Sequence, residues 1–296
     1  MKQIIFFFHF LLLTTSLYGG LVSEGLRQIP ERDIILMKEF VKLNFKWNQA
    51  AHVIFFHNKP SCLATAFIKS PDKDFQNLLW VRGWETFKKH EHLFPHPNFL
   101  FMSHLWDEDE DGYQSLSLFI LNKRALMKCF NSCKTIFQAV IGEHFCYEWF
   151  IAELEKGKNI EEIIKNDQVL LGILLGYGKE SAKTFNDHQA KRLQHFFLRE
   201  EIYCGNSPEA PDKCDCFPVA FMGNPRSKEV QNILSEYKRE LEIFWNMYQK
   251  KNPLVLFLEG ICENDSDVLQ STFKTQKKLA SEFAFYVMLN PFSVDY

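Results

Sequence analysis

The first residues able to do chemistry are three clustered histidines, His90, His92 and His96, with His104 following. Neutral imidazole is a ready ligand for transition metals. On a strand, His90 and His92 point the same way, as paired ligands must. The stretch before them, Trp84 to Lys89, reads as helical, and a helix sets the two rings about 200° apart. A metal on His90, His92 and His96, with Asp107 as a further carboxylate, defines one functional reading. That reading is a metal-dependent hydrolase whose cofactor is zinc or a similar ion. The competing reading is a polar surface stretch that leads into the bend at Pro95 and Pro97.

Eight cysteines make up a second set. Cys204, Cys214 and Cys216 fall in a segment rich in Gly, Pro and Asp that reads as a loop, with Pro208, Pro211 and Pro218 along it. A disulfide from Cys204 to Cys214 or Cys216 is the favoured expectation, because such a loop cannot fold by burial alone. A thiolate metal site is the alternative, but no fourth ligand is supplied locally. Cys129 and Cys133 sit one helical turn apart and read as buried free thiols.

Two further motifs resemble known ligand loops and then depart from them. Asp107, Asp109, Asp111 and Gly112 match the start of a calcium-binding EF-hand loop. The twelfth position is Leu118, where a bidentate glutamate is needed. A turn left in water is the expected alternative, because five carboxylates between Asp107 and Gly112 cannot be buried unpaired. Gly172 to Ser181 has the look of a phosphate loop. Five residues, not four, separate Gly172 from Gly178, and Glu180 follows Lys179 where a hydroxyl should bind magnesium. Nucleotide binding is therefore excluded there. No Gly-x-Ser-x-Gly nucleophile motif is present.

The run Leu170-Leu-Gly-Ile-Leu-Leu-Gly-Tyr-Gly-Lys-Glu-Ser-Ala-Lys-Thr-Phe185 resembles a stretch of uncharacterised exported proteins of intracellular bacteria. Arg82-Gly-Trp-Glu85 and His92-Leu-Phe-Pro95 are similar to other parts of the same proteins. The resemblance covers a small part of the chain. It implies a bacterial, exported setting and carries no catalytic residue.

The first residues predict export independently. Met1 and Lys2 give a charged start, Ile4 to Leu13 is apolar apart from His9, and small residues follow up to Gly19 and Gly20. This is the layout of a secretory signal peptide over residues 1–20. The apolar run is shorter than the roughly 20 residues a spanning helix needs. The expected product is a soluble periplasmic, cell-surface or secreted protein starting near Leu21. A net charge of -3 argues against a nucleic-acid partner. Thirty phenylalanines predict a well-developed core.

The elements that must hold these residues follow from periodicity and turn chemistry. Pro30 opens a helix carrying Leu36, Phe40, Leu43 and Trp47. His52 to His57 reads as a strand, Asn58 to Ser61 as a turn, and Leu63 to Ile68 as the returning strand of a hairpin. Phe99 to Trp106 and Tyr113 to Leu121 form a second hairpin across the acidic turn. Asn122 caps a helix through Phe130, and Ser132 caps another that stops at Gly142. Helices follow over Phe145 to Leu154, Ile160 to Ile164 and Val169 to Leu175. A break at Gly176-Tyr177-Gly178 leads into a helix from Lys179 to Leu198. After a long loop, 204–227, Ser227 caps a helix with Val230, Ile233, Leu234, Tyr237, Leu241, Phe244, Trp245 and Tyr248 on one face. Leu254 to Leu258 reads as a strand, and Asp265 or Ser266 caps a last helix. The order predicts a single α+β domain over 21–296. Residues 21–121 carry a small antiparallel sheet, and residues 122–296 are mainly helical. With no convergent catalytic set, the principal functional reading is a non-enzymatic protein that binds a protein partner and needs no cofactor.

Overall fold

The computed structural model describes residues 20–47, 49–56, 58–69, 75–186, 194–197, 220–223 and 226–262. The expected signal segment apart from Gly20, Cys204, Cys214, Cys216 and the last expected helix lie outside these residues.

Helix α1 covers residues 20–27, and α2 runs Glu31–Trp47 just after Pro30. A π-helical turn, His52–Phe56, leads to strand β1, Ser61–Lys69. Helix α3 is Phe75–His90, β2 is Phe99–Leu105 and β3 is Gln114–Asn122. Five helices follow: α4 Lys123–Ile141, α5 Tyr147–Glu155, α6 Ile160–Ile163, α7 Gln168–Leu174 and α8 Lys179–Asn186. Strands β4, Gln194–Phe197, and β5, Ala220–Gly223, pair antiparallel. Helices α9, Lys228–Tyr248, and α10, Pro253–Cys262, complete the described chain. The α+β class is therefore as the sequence predicts.

The main sheet has the order β1-β3-β2, antiparallel throughout, and it is the middle of three layers. Leu118 and Ile120 on β3 point into one apolar core, built with α2, α3, α9 and α10. Phe119 and Leu121 point into a second, built with α4 to α8. A strand covered on both faces must be apolar at consecutive positions. This explains why the alternation of Tyr113 to Leu121 gives way to a continuous apolar run. Phe40 sits at the centre of the first core, its ring 5.8 Å from Trp84, 6.0 Å from Phe87 and 6.5 Å from Phe257. Gly83 lets α3 approach α2, since a Cβ there would lie 2.5 Å from the Cβ of Phe40.

Four expectations are corrected. The run from His52 is a buried π-helical turn, not a strand, and β1 pairs with β3 instead of folding back on it. Leu254 to Leu258 belongs to helix α10. Both runs are buried at nearly every position, which erases the period that separates helix from strand. Ser132 does not start a new helix. Its hydroxyl donates to the carbonyl of Cys129 at 2.9 Å, and α4 continues through it. The helix from Lys179 ends at Asn186, and Gln194–Phe197 is a strand whose partner, β5, lies inside the expected 204–227 loop. Among the described residues no helix is long and apolar enough to cross a membrane.

Candidate functional site

The segment Asn58-Lys59-Pro60-Ser61, read from sequence as an ordinary turn, is the junction of the two cores. Ser61 Oγ donates to the carbonyl of Leu174 at 2.8 Å, and Lys59 Nζ donates to the carbonyl of Leu175. Both acceptors lie at the C-terminal end of α7, where carbonyls lack helical partners and favour a cation. The amide of Asn122 donates to Pro60 O at 2.9 Å, and Asn122 Nδ2 donates to Val53 O at 2.9 Å. Asn122 also caps α4 by accepting from the amides of Arg124 and Ala125.

Lys59 is only 1% exposed. Its ammonium faces the rings of Tyr177, at 4.9 Å, and Tyr237, at 5.7 Å. Burial pulls its pKa down to about 8, partly opposed by Cys62 and Glu240. Burial likewise pushes the Cys62 thiol up to about 12 and raises Tyr237 well above the usual phenol range. Beside this group, His52 Nδ1 lies 2.7 Å from Glu240 Oε2, both side chains 1% exposed. His52 Nε2 is buried with no hydrogen-bond partner. Asn58 Nδ2 donates to Glu236 and Glu240, each at 2.8 Å. Sequence alone gives no sign of this buried network, because its members come from segments up to 188 residues apart.

In front of the junction is an open cleft of about 360 Å³ between α4, the end of α7 and the starts of α8 and α9. Cys129, Ser132, Cys133, Lys128, Lys179 and Glu229 are among the side chains lining it. Cys129 and Cys133 are free thiols, as expected, with Cys133 buried and Cys129 half-buried. Lys179 Nζ donates to Ser132 O at 2.8 Å. Glu229 accepts from the amides of Lys179, at 3.1 Å, and Glu180, at 2.8 Å, so its carboxylate is spent on the N-terminus of α8. The glycines of the sequence break work here. Gly176 and Gly178 have φ of +77° and +84°, and a Cβ on either would meet a neighbour at 2.8 Å.

The histidine cluster does not converge. His90 Nε2 lies 2.9 Å from Asp33 Oδ2, a carboxylate that also accepts from Lys89. Those two hydrogen bonds hold the Asp33 carboxyl near pKa 2. His96 pairs with Glu91 at 3.0 Å, and His92 is exposed. The His104 ring stacks edge-on against Trp106 at 4.5 Å. Among the described residues no three His, Cys, Asp or Glu side chains are grouped to hold a metal ion. His90 ends α3 while His92 lies in the following 3-10 turn, so the chain direction changes between them. The set His90, His92 and His96 therefore does not fit a zinc centre in this arrangement.

The far end of the main sheet is different in character. Phe67, Ile68, Leu105 and Trp106 are exposed there, at 47%, 39%, 50% and 36%. The Phe67 and Tyr113 rings meet at 5.3 Å. Trp106 is fixed at both ends, its amide donating to Ser115 O and its indole N–H to Ser117 Oγ, each at 2.9 Å. Phe67, paired with Ser115, lies on the face of Trp106, while Leu105, paired with Leu116, lies on the other, and the acidic turn follows Trp106. Asp109 Oδ1 accepts from the amides of Asp111, at 3.1 Å, and Tyr113, at 2.8 Å. Glu108 pairs with Lys69 at 2.5 Å, with both side chains well exposed. The turn is thus the solvated hairpin connection its composition predicts, and Asp109 shapes it.

Compared with protein-family models, curated proteins and solved structures, the chain finds no match.

Proposed function

We propose that this is an exported, non-enzymatic binding protein whose recognition surface is the aromatic end of the three-stranded sheet. The observation that carries the reading is the exposure of Phe67 and Trp106 on either side of Ser115, on one face of the sheet end, beside five carboxylates. An apolar cluster left in water with a charged rim marks an interaction surface. Trp106 is held rigid before any partner arrives, so little freedom is lost on binding. Tryptophan is also among the residues that contribute most to interfaces, and its face attracts cations. The partner that fits is a polypeptide segment carrying both apolar residues and Lys or Arg.

Export rests on the signal layout of residues 1–20 and on the resemblance of Leu170 to Phe185 to exported bacterial proteins. Protein recovered outside the cytoplasm should begin at or just before Leu21. An intact Met1 on soluble cytoplasmic protein would remove the export part of the proposal.

The binding part is tested by titrating a Lys- and Arg-rich amphipathic peptide, and its Glu-substituted counterpart, into the protein. The basic peptide should bind saturably and more weakly as salt rises, with the acidic one inert. Trp106→Ala should weaken binding by about tenfold or more, the loss of a tryptophan anchor. Equal binding of both peptides, or no effect of Trp106→Ala, would rule the surface out.

A further inference from the structure

The same end of the sheet offers a second kind of contact, made by the main chain. Resting on the reading of this surface as a peptide-recognition site, we propose that the partner binds as an added β-strand along the free edge of β2. Its main chain pairs with Ser103 and Leu105. The segment that fits is extended and alternates apolar residues with Lys or Arg.

Two bonds fix which way the main chain of β2 faces. The amide of Lys123 donates to Asn98 O at 2.8 Å at one end, and the amide of Trp106 donates to Ser115 O at 2.9 Å at the other. The register between them is unbroken, from Phe99 opposite Asn122 to Leu105 opposite Leu116. In an antiparallel ladder, bonded and non-bonded pairs alternate. Even-numbered residues from Asn98 to Trp106 therefore turn their N–H and C=O groups to β3, and Phe101, Ser103 and Leu105 turn theirs away. Since β2 ends the order β1-β3-β2, no strand among the described residues lies on that side. Ser103 and Leu105 are both exposed. A free edge is normally guarded by lysine, proline, a bulge or a covering helix. The other edge, β1, follows that rule, with a break in register between Phe67 and Lys69 and α3 packed against it. Phe99 to Leu105 has no Lys, Arg, Asp, Glu or Pro and no bulge. An unguarded edge of this kind is where a strand can be added.

The chemistry of the incoming strand follows from its neighbours. Residues opposite Ser103 and Leu105 share the Leu105 face, and those between them share the face of Trp106. The first set fits apolar side chains. The second lies toward the Trp106 ring, which attracts cations. Past Leu105 the strand runs beside the turn from Asp107 to Asp111. Glu108 already holds Lys69 there, and no cation among the described residues pairs with Asp107, Glu110 or Asp111. Those three carboxylates favour Lys or Arg in the partner.

The probe is a heptapeptide of alternating Lys and Val, titrated into the full chain in three forms: unmodified, N-methylated on its valine amides, and N-methylated on its lysine amides. Valines opposite Ser103 and Leu105 donate their amides to β2, so methylating them should weaken binding about tenfold or more. Methylating the lysine amides, which face away, should change it less than about twofold. The two methylated forms carry the same charge and nearly the same apolar surface, so main-chain pairing is what separates them. Ser103→Pro, a change an edge strand tolerates where the N–H faces outward, should weaken binding of the unmodified peptide by a similar factor. Amide-resolved hydrogen exchange gives a readout independent of affinity. In the free protein the Ser103 and Leu105 amides should exchange fast and the His104 amide slowly, and saturating peptide should slow the first two. Equal binding of the two methylated peptides would overturn strand addition and leave the sheet end as the binding surface. Ser103 and Leu105 amides already protected in the free protein would do the same. Failure of the unmodified peptide to bind saturably would remove both readings.

Discussion

The ammonium of Lys59 donates to the main-chain carbonyl of Leu175, joining the entry to β1 with the end of α7 from a position 1% exposed to solvent. Because β1 borders the first core and α7 belongs to the second, this one bond spans the seam between them. Ser61 to Leu174 and Tyr237 to Gly176, the latter at 3.0 Å, complete the seam on either side.

Lys59→Met keeps the apolar stem and removes the donor. A buried carbonyl left without its partner costs about 1–3 kcal/mol, so the variant should be less stable at neutral pH by that order. The pH dependence has a definite sign. Burial lowers the folded pKa from 10.5 to about 8, so between those values the unfolded chain holds more protons than the folded one. The desolvation cost present below about pH 8 is relieved as pH rises. The stability of the native protein relative to Lys59→Met should therefore increase from pH 8 to pH 10. Denaturant titration of both proteins at matched pH checks this, and a flat difference would refute a buried charged lysine.

Asp33 provides the acid-side counterpart. Hydrogen bonds from His90 and Lys89 lower its pKa from 3.8 to about 2. A depressed carboxyl contributes stability that is full above its unfolded pKa and lost as pH falls through the folded one. The stability gap between native protein and Asp33→Asn should be constant above about pH 4 and close as pH approaches 2. Thermal melts across that range measure it.

Gly178 and Gly176 carry the turn between α7 and α8. Alanine at Gly178 must adopt φ near +84° and meets Glu229 and Ile233 at 2.8 Å. Strain of this kind costs about 1–3 kcal/mol, and the clash also dislodges the Glu229 carboxylate that caps α8. Gly178→Ala should lower the melting temperature more than Gly142→Ala, where the near neighbours are the movable ring atoms of His144.

The acidic turn should be nearly neutral for stability. Replacing Asp107, Glu108 and Glu110 by their amides removes one exposed ion pair with Lys69, and exposed pairs contribute about 0–1 kcal/mol. Asp109 behaves differently, because its Oδ1 accepts two backbone amides. Asp109→Ala should cost about 1 kcal/mol, and Asp109→Asn, which keeps the acceptor, should cost less.

What could be read from the sequence divides along physical lines. The β2–β3 hairpin, the Asn122 and Ser227 caps, the stop at Gly142 and the α9 stripe all rest on local spacing or turn chemistry, and each stands in the structure. His52 to Phe56 and Leu254 to Leu258 were ambiguous because burial on all sides removes periodicity. The β4–β5 pair required knowledge of a distant partner strand. The same holds for the sites. Cys129 and Cys133 were visible through their spacing. The Lys59 junction and the separation of His90, His92 and His96 onto different carboxylates or into solvent depend on tertiary placement alone.

The central claim is that the sheet end formed by residues 65–69 and 103–113 is the recognition surface. Hydrogen-exchange mass spectrometry, with and without a saturating basic amphipathic peptide, tests it most directly. Slowed exchange confined to those two stretches is the predicted result. Protection centred on 123–141 or 228–248, or no protection anywhere at saturation, would contradict it.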